Sequence, residues 1–116
     1  MKIIAGPCQH ESYEQSLDIA AHCRGICDAY DIDYVFKASF DKANRTAIGS
    51  KRGVGLENTL GDFRRIKEEL EDVLTLTDVH AVLQVYELVN QYYDAVDVLQ
   101  IPAFLSRQTD LIDAAF

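Results

Sequence analysis

Short apolar runs alternate along the chain with longer segments in which apolar residues recur every three or four positions. Runs of the first kind are typical of buried strands, and the longer period is typical of helices. The first run is followed by Gly6 and Pro7, which are expected to end its strand and open a loop. The pattern predicts four strands, near residues 2–6, 34–38, 73–77 and 96–101.

A helical segment follows each predicted strand. Ser12 and Gln15 form a capping box, and the spacing of apolar residues after them predicts a helix from about Tyr13 to Ala29. The last segment, from Thr109 to Phe116, has the start of a helical pattern. Strand followed by helix, four times over, predicts parallel strands joined by right-handed crossovers.

Two architectures share this alternation of strands and helices. A doubly wound sheet usually carries a glycine fingerprint after its first strand, and this chain lacks one. A (β/α)8 barrel needs about 250 residues. We therefore predict an α/β fold that forms the N-terminal half of a (β/α)8 TIM barrel, with residues 1–116 as one partial barrel of four β/α units.

The charge of the chain is unevenly distributed. The net charge of −8 and the pI near 4.7 argue against a general nucleic-acid or membrane-surface binder. Five basic residues nevertheless fall between Lys37 and Arg52 beside one acid, Asp41, in a connection with little apolar periodicity. Long connections of this kind are usually functional, so the basic stretch predicts a receptor for an anion such as phosphate.

Polar residues occur where each predicted strand ends. The carboxyl ends of barrel strands build the active site in this architecture, so we expect these side chains to share one rim. They are Cys8, Lys37, Ser39, Asp78, His80 and Gln100.

Four stretches of the sequence together resemble the 3-deoxy-D-manno-octulosonate-8-phosphate (KDO-8-phosphate) synthases. They follow one another in the order and spacing of that family over essentially the whole chain. The related 3-deoxy-arabino-heptulosonate-7-phosphate synthases share the GPC element but differ after the second strand, so they are the alternative family. The stretches are IAGPC at 4–8, FKASFDKANR at 36–45, TDVH at 77–80 and DVLQIPAFL at 97–105, continued by RQTDL at 107–111.

The resemblance implies a transferase of lipopolysaccharide sugar biosynthesis with a TIM-barrel fold. Such an enzyme condenses phosphoenolpyruvate with arabinose 5-phosphate and water, in an aldol-type reaction that releases phosphate. Both substrates are anionic, which would explain the basic stretch. The resemblance also implies a homo-oligomer, a tetramer in the family. The cytoplasm is the expected compartment, because the first apolar run is too short for a signal peptide and the three cysteines do not form a disulfide framework.

The resemblance assigns roles to residues that match the family motifs. Lys42, Asn44 and Asp78 would be catalytic. The phosphoenolpyruvate site would comprise Lys37, Ser39, Lys42 and Gln100. The pentose-phosphate site would comprise Asn44, Arg45, Thr46 and Asp78, and Phe104 with Arg107 would reach the site of a neighbouring subunit.

Cys8 indicates a subclass of this family. Members with cysteine at this position use it as one ligand to a divalent metal, here zinc, iron or manganese, whereas members with asparagine need no metal. The remaining ligands would come from later strands that this chain lacks. A lone cysteine is otherwise most simply a small buried apolar residue.

The other histidines and cysteines have simpler interpretations. We predict that His10 and His22 are surface residues and that Cys23 and Cys27 belong to the core without a disulfide. His80 would orient a neighbour of Asp78 or complete a hydrogen bond at the strand end. The acidic residues near the end of the second helix, Glu68, Glu69, Glu71 and Asp72, are expected to be solvated.

Two departures from the family limit the prediction. Gly49 stands where the family usually has histidine, which affects the order of the substrate loop. The length implies a truncated enzyme that is inactive alone. Two alternatives therefore remain, a non-catalytic half-barrel that binds anions or pairs with a separate second half, and a heptulosonate-type synthase.

Overall fold

The computed structural model describes residues 1–41 and 53–116, which form a parallel sheet covered by helices on one face. Within these ranges the strands lie side by side in chain order, each parallel to the next. The predicted fold class is confirmed, because four parallel strands alternating with helices are the arrangement of half a TIM barrel. The strands are β1 (Lys2–Gln9), β2 (Asp33–Ser39), β3 (Leu74–Asp78) and β4 (Val98–Gln100).

The helices follow the strands as the apolar spacing predicted. The first begins after Ser12, whose hydroxyl accepts a hydrogen bond from the Gln15 amide at 3.2 Å, as a capping box requires. The helix predicted from Tyr13 to Ala29 is confirmed, and so is a helix in the last segment. The helices are α1 (Tyr13–Ala29), α2 (Leu56–Glu69), α3 (Val82–Gln91) and α4 (Thr109–Ala115), with a 3₁₀ turn at Ala103–Leu105.

The hydrophobic core lies between the sheet and the helices. Successive side chains of a strand point to opposite faces. In β2, Tyr34, Phe36 and Ala38 face the helices, and the Phe36 ring meets Phe63 of α2 edge-on with centroids 5.3 Å apart. This packing fixes which residues of β2 point the other way.

The opposite face of the sheet is more open. It carries Lys37 and Ser39 near the carboxyl end of β2, and apolar side chains elsewhere. Ile4, Leu74 and Val98 on this face are 53%, 41% and 39% exposed. In a barrel this face lines the interior.

Strand β1 differs from the sequence expectation. It continues through Gly6 and Pro7 to Gln9, so those residues do not end it. The pairing with β2 shifts register between Ala5 and Cys8, which is a bulge. A Cβ atom at Gly6 would lie 1.7 Å from the Lys37 carbonyl oxygen, so only glycine permits this approach of the two backbones.

Polar groups at the amino end of β3 and β4 are paired with one another. The Asp97 carboxylate accepts hydrogen bonds from the Thr75 amide and the Lys67 ammonium, each at 2.8 Å. The Thr75 hydroxyl donates to the Ala95 carbonyl at 2.6 Å. This network ties α2 to both strands.

A second link of α2 lies nearby. The Arg64 guanidinium donates to both oxygens of Asp94 and to the Gln91 carbonyl, at 2.7–3.0 Å, and its charged end lies 5.1 Å from the centre of the Tyr92 ring. These contacts join α2 to the end of α3.

None of the helices within residues 1–41 and 53–116 combines the length and apolar character that a bilayer crossing requires.

Candidate active site

The strand register brings the predicted rim residues together at the carboxyl edge of the sheet. Asp78 lies opposite Gln100, and Gln9 lies opposite Ser39. Lys37 lies opposite Leu76, two positions before Asp78, so β2 and β3 end at the same level. Alternation places Lys37, Ser39, Asp78 and Gln100 on the face away from the helices.

Asp78 and His80 form a close pair at the carboxyl end of β3. His80 Nε2 lies 3.1 Å from Asp78 Oδ2, and both side chains are nearly buried. Burial would raise the pKa of the Asp78 carboxyl, but hydrogen bonding to His80 and Ser39 outweighs it and holds that pKa below its ordinary value. Asp78 is therefore a carboxylate at neutral pH.

Each member of this pair keeps one buried polar atom without a partner among the described residues. These atoms are Asp78 Oδ1 and His80 Nδ1. Buried polar atoms in native proteins are nearly always paired, so orphaned ones need an explanation. A polar ligand that binds at the rim would provide one.

Further contacts fix the His80 ring and backbone. The His80 amide donates to Gln84 Oε1 at 2.7 Å, and the His80 ring stacks on Phe104 with centroids 6.3 Å apart. Of the two expectations for His80, the hydrogen bond at the strand end is confirmed, because His80 bonds to Asp78, the last residue of β3. Phe104 is 58% exposed and Arg107 is exposed in the connection to α4.

Cys8 occupies an unusual backbone position at the end of β1. Its φ of +69° lies in the left-handed region that side chains with a Cβ usually avoid. The residue is exposed, so the interpretation as a small buried apolar residue is wrong. Within the described ranges no three His, Cys, Asp or Glu side chains cluster closely enough to hold a metal ion.

Four of the predicted site residues lie outside the described residues. They are Lys42, Asn44, Arg45 and Thr46, and Gly49 lies there too. The flanks of this segment meet at the rim, because a Cβ at Gly53 would lie 2.6 Å from the Phe40 carbonyl oxygen and 3.8 Å from Gln9 Cγ. Phe40 and Gly53 therefore lie close together beside the carboxyl ends of β1 and β2.

His10 is not a surface residue, and this prediction was wrong. Its side chain is fully buried, with Nδ1 2.8 Å from Ser16 Oγ and Nε2 2.8 Å from Asp62 Oδ2. One sequence signal could have indicated this arrangement. Ser16 lies at helical spacing with Ala20 and Cys27, so it is a polar residue on an apolar helix face, which calls for a buried partner.

The expectations for His22, Cys23, Cys27 and the acidic residues at the end of α2 are confirmed. His22 is exposed, Cys27 is buried, and Cys23 packs against the core. Tyr34 lies beside these cysteines, where burial raises the pKa of its phenol, and its hydroxyl donates to the Ala5 carbonyl at 2.8 Å. The solvated acidic residues at the end of α2 are Glu68, Glu69, Glu71 and Asp72.

Comparisons with known proteins agree with the resemblance that the motifs carry. The chain is 50% identical over 113 residues to the "2-dehydro-3-deoxyphosphooctonate aldolase" of Granulibacter bethesdensis, and equally to that of Fusobacterium nucleatum. The alignments cover 97% of this chain but 38% and 39% of those relatives. The chain thus spans about two fifths of the length of the curated relatives that it matches.

The sequence model of the DAHP synthetase I family matches residues 1–115. That match spans all four β/α units and the rim residues that follow each strand. The chain belongs to the DAHP synthetase I family.

Proposed function

We propose that this chain forms part of an enzyme that condenses phosphoenolpyruvate with arabinose 5-phosphate and water to give 3-deoxy-D-manno-octulosonate 8-phosphate and phosphate. The observation that carries the proposal is the 50% identity to relatives named 2-dehydro-3-deoxyphosphooctonate aldolase. The shared names favour this reaction over the heptulosonate-type synthase. The cytoplasm is the compartment proposed for it.

Phosphoenolpyruvate would bind on the face of the sheet away from the helices. Lys37 supplies a cation there, and hydrogen-bond donors come from Ser39 on the same strand and from Gln100 at the end of β4. A phosphate and a carboxylate both favour such a mixed set of donors. Lys42 is proposed to complete this site and to act in catalysis.

The pentose phosphate would bind beside Asp78. The Asp78 carboxylate is ionised at neutral pH, and its buried Oδ1 has the capacity to accept a hydrogen bond from a sugar hydroxyl. Asn44, Arg45 and Thr46 are proposed to hold the phosphate of this substrate, since a guanidinium binds phosphate through paired donors. Asn44 and Asp78 would be catalytic.

Cys8 is proposed as one ligand of a divalent zinc, iron or manganese ion. A thiolate at the exposed end of β1 suits such an ion, although the described residues do not provide a complete ligand set. Such an ion supplies Lewis acidity that positions water or the aldehyde. Cys8, by its strained backbone, would hold its sulfur at a defined place on the rim.

The chain is further proposed to act as a homo-oligomer, with Phe104 and Arg107 reaching the site of a neighbouring subunit. Both residues are exposed in the connection from β4 to α4, which supports an intermolecular role. Phe104 also stacks on His80 of its own chain, and His80 contacts Asp78. A neighbouring subunit that contacts Phe104 would therefore affect the surroundings of Asp78.

Titration calorimetry of the purified chain with phosphoenolpyruvate tests the proposal. Lys37→Ala removes the rim cation and is expected to weaken binding by about tenfold or more, as for other hydrogen bonds to charged groups. Lys2→Ala, which removes an exposed cation from the opposite end of the sheet, is the matched control and should change affinity by less than about twofold. Equal effects of both variants would contradict the proposed site.

A phosphate-release assay with added divalent metal tests the reaction itself. The chain alone should release no phosphate, but in calorimetry it should bind arabinose 5-phosphate in preference to erythrose 4-phosphate. A preference for erythrose 4-phosphate would instead support the heptulosonate-type synthase.

A non-catalytic half-barrel is the second candidate function. The exposed apolar face with Ile4, Leu74 and Val98 favours it, because barrels bury this face. Mixing the chain with the remaining portion of a curated relative tests it. Formation of a defined hetero-oligomer without turnover would support pairing alone, and turnover in the mixture would support the enzyme.

A further inference from the structure

The His10 side chain is a fully buried polar group for which the proposed reaction has no role. Its ring lies between α1 and α2, bonded to Ser16 on one side and to Asp62 on the other. A carboxylate can only accept, so in the neutral ring Nε2 carries the proton and Nδ1 accepts from the Ser16 hydroxyl. One imidazole therefore joins the two helices with a defined orientation.

The backbone of His10 is fixed as firmly as its ring. The His10 amide donates to the Ser39 carbonyl at 3.0 Å, directly beyond the last paired residues of β1 and β2. Three directional bonds thus converge on the residue that follows Cys8 and Gln9. They tie the carboxyl end of β1 to Ser39 as well as to both helices.

The conformation of Cys8 needs such support. Left-handed backbone at a residue with a Cβ persists only where its surroundings over-determine it. After the bulge the pairing with β2 resumes, with Cys8 opposite Ala38 and Gln9 opposite Ser39, and the bonds of His10 extend this attachment by one residue.

We propose that His10 is a positioning residue, which holds the carboxyl end of β1 so that Cys8 and Gln9 lie at a defined place beside Ser39. It achieves this through its bonds to Ser16, Asp62 and the Ser39 carbonyl. The consequence for catalysis rests on the proposed function, whereas the placement of Cys8 does not.

Simple core packing is the competing explanation. An apolar side chain of similar size would fill the same space, and replacing buried polar groups by apolar ones is often neutral for stability. Asp62 would remain paired with Arg65 Nη1, at 3.3 Å, after such a change. Removing the network should therefore change the position of Cys8 without a comparable change in the free energy of unfolding.

The test uses the full 116-residue chain and the double variant His10→Leu/Ser16→Ala. The rate of Cys8 alkylation by iodoacetamide, read from the mass of its peptide, should rise about threefold or more towards the rate of the unfolded chain. Amide hydrogen exchange at position 10 should accelerate by about tenfold. The urea midpoint should stay within about 0.5 M of the unsubstituted chain.

Two further variants make the result specific. His10→Gln retains an amide that can donate towards Asp62 and accept from Ser16, and it should restore most of the original Cys8 rate. Thr59→Val removes a fully buried hydroxyl of α2 that has no partner among the described residues, and it should leave the Cys8 rate unchanged.

An unchanged Cys8 rate and unchanged exchange in the folded double variant would overturn the proposal. Should that variant not unfold cooperatively, Ser16→Ala alone decides, because it removes one bond to the ring and little volume. A Cys8 rate in Ser16→Ala equal to that of Thr59→Val would also overturn the proposal. Neither readout requires turnover, so the failure of the proposed reaction would leave this test intact.

Discussion

The polar groups at the two ends of strand β3 differ in how completely they are hydrogen-bonded. At the amino end, the Thr75 amide and hydroxyl, the Asp97 carboxylate and the Lys67 ammonium bond to one another or to backbone. At the carboxyl end, Asp78 and His80 bond to each other, yet each keeps one buried atom without a partner among the described residues.

This difference suggests that the amino end of β3 stabilises the fold and that the carboxyl end is available to bind a ligand. Paired polar groups at the amino end hold α2 and β4 in place and leave little unused hydrogen-bonding capacity. Buried atoms without a partner at the carboxyl end destabilise the folded chain in the absence of a ligand. A ligand that forms hydrogen bonds to these atoms would remove this cost. In barrels the amino end serves stability and the carboxyl end serves catalysis.

Gly6→Ala should have the largest effect on the carboxyl end. A Cβ there would lie 1.7 Å from the Lys37 carbonyl oxygen, so β1 and β2 must separate at the rim. We expect unfolding by urea to show a loss of about 3 kcal/mol or more, at the upper end for overpacking.

Gly25→Ala is the matched control for that change. Nothing lies within 4 Å of a Cβ at Gly25, which is exposed in α1. Alanine there should stabilise the chain by about 0.5–1 kcal/mol. Similar results for the two variants would show that the approach at Gly6 is not required.

Asp97→Asn should have the next largest effect and act on the amino end. It removes the charge that accepts from Lys67 and Thr75, so we expect a loss of about 2 kcal/mol in urea unfolding, as for hydrogen bonds to charged groups. The Cys8 alkylation rate, which reports on the rim, should stay unchanged. An altered rate would contradict the independence of the two ends.

Thr75→Val and Thr77→Val compare the two ends within one strand. Both residues are fully buried on the same face, but the Thr75 hydroxyl donates to Ala95, whereas that of Thr77 has no partner among the described residues. Thr75→Val should cost about 1–2 kcal/mol, and Thr77→Val should be neutral or slightly stabilising. Equal losses in thermal or urea unfolding would refute the contrast.

The smallest expected effect is on the pH dependence of stability. Burial would raise the pKa of Asp97, but hydrogen bonds from Lys67 and Thr75 outweigh it and hold the pKa below its ordinary value of about 3.9. The stabilisation is therefore present above that ordinary value and lost as pH falls through the lower folded value.

Urea midpoints measured between pH 7 and pH 3 test this expectation. The midpoint should be nearly constant down to about pH 5 and fall below about pH 4. Asp97→Asn should show a shallower fall than the unsubstituted chain. A steeper or identical fall in the variant would contradict the role assigned to Asp97.

Much of the fold could be predicted because it depends on local periodicity. The spacing after Ser12 predicted α1 to the residue at both ends, and the alternation of strands and helices predicted the parallel sheet. Alternation within β2 also determines that Lys37 and Ser39 share a face, once Phe36 is assigned to the core.

The errors concern residues whose partners are distant in sequence. The His10 ring bonds to Asp62, which lies 52 residues away, so the sequence near His10 could indicate a buried partner for Ser16 but not the contact with Asp62. From the sequence of β1 alone, Gly6 and Pro7 indicate the end of a strand. The strand continues because β2, which is distant in sequence, pairs with Cys8 and Gln9.

The sequence alone therefore determined the order of strands and helices, the family and the residue types at the rim, because these follow from periodicity and from contiguous motifs. Only the tertiary structure decided that β1 bulges against Lys37, that His10 joins two helices, and that Asp78 and His80 keep buried atoms without a partner among the described residues. These features arise from contacts between segments far apart in the chain, and such contacts form only when the sheet and its helices assemble.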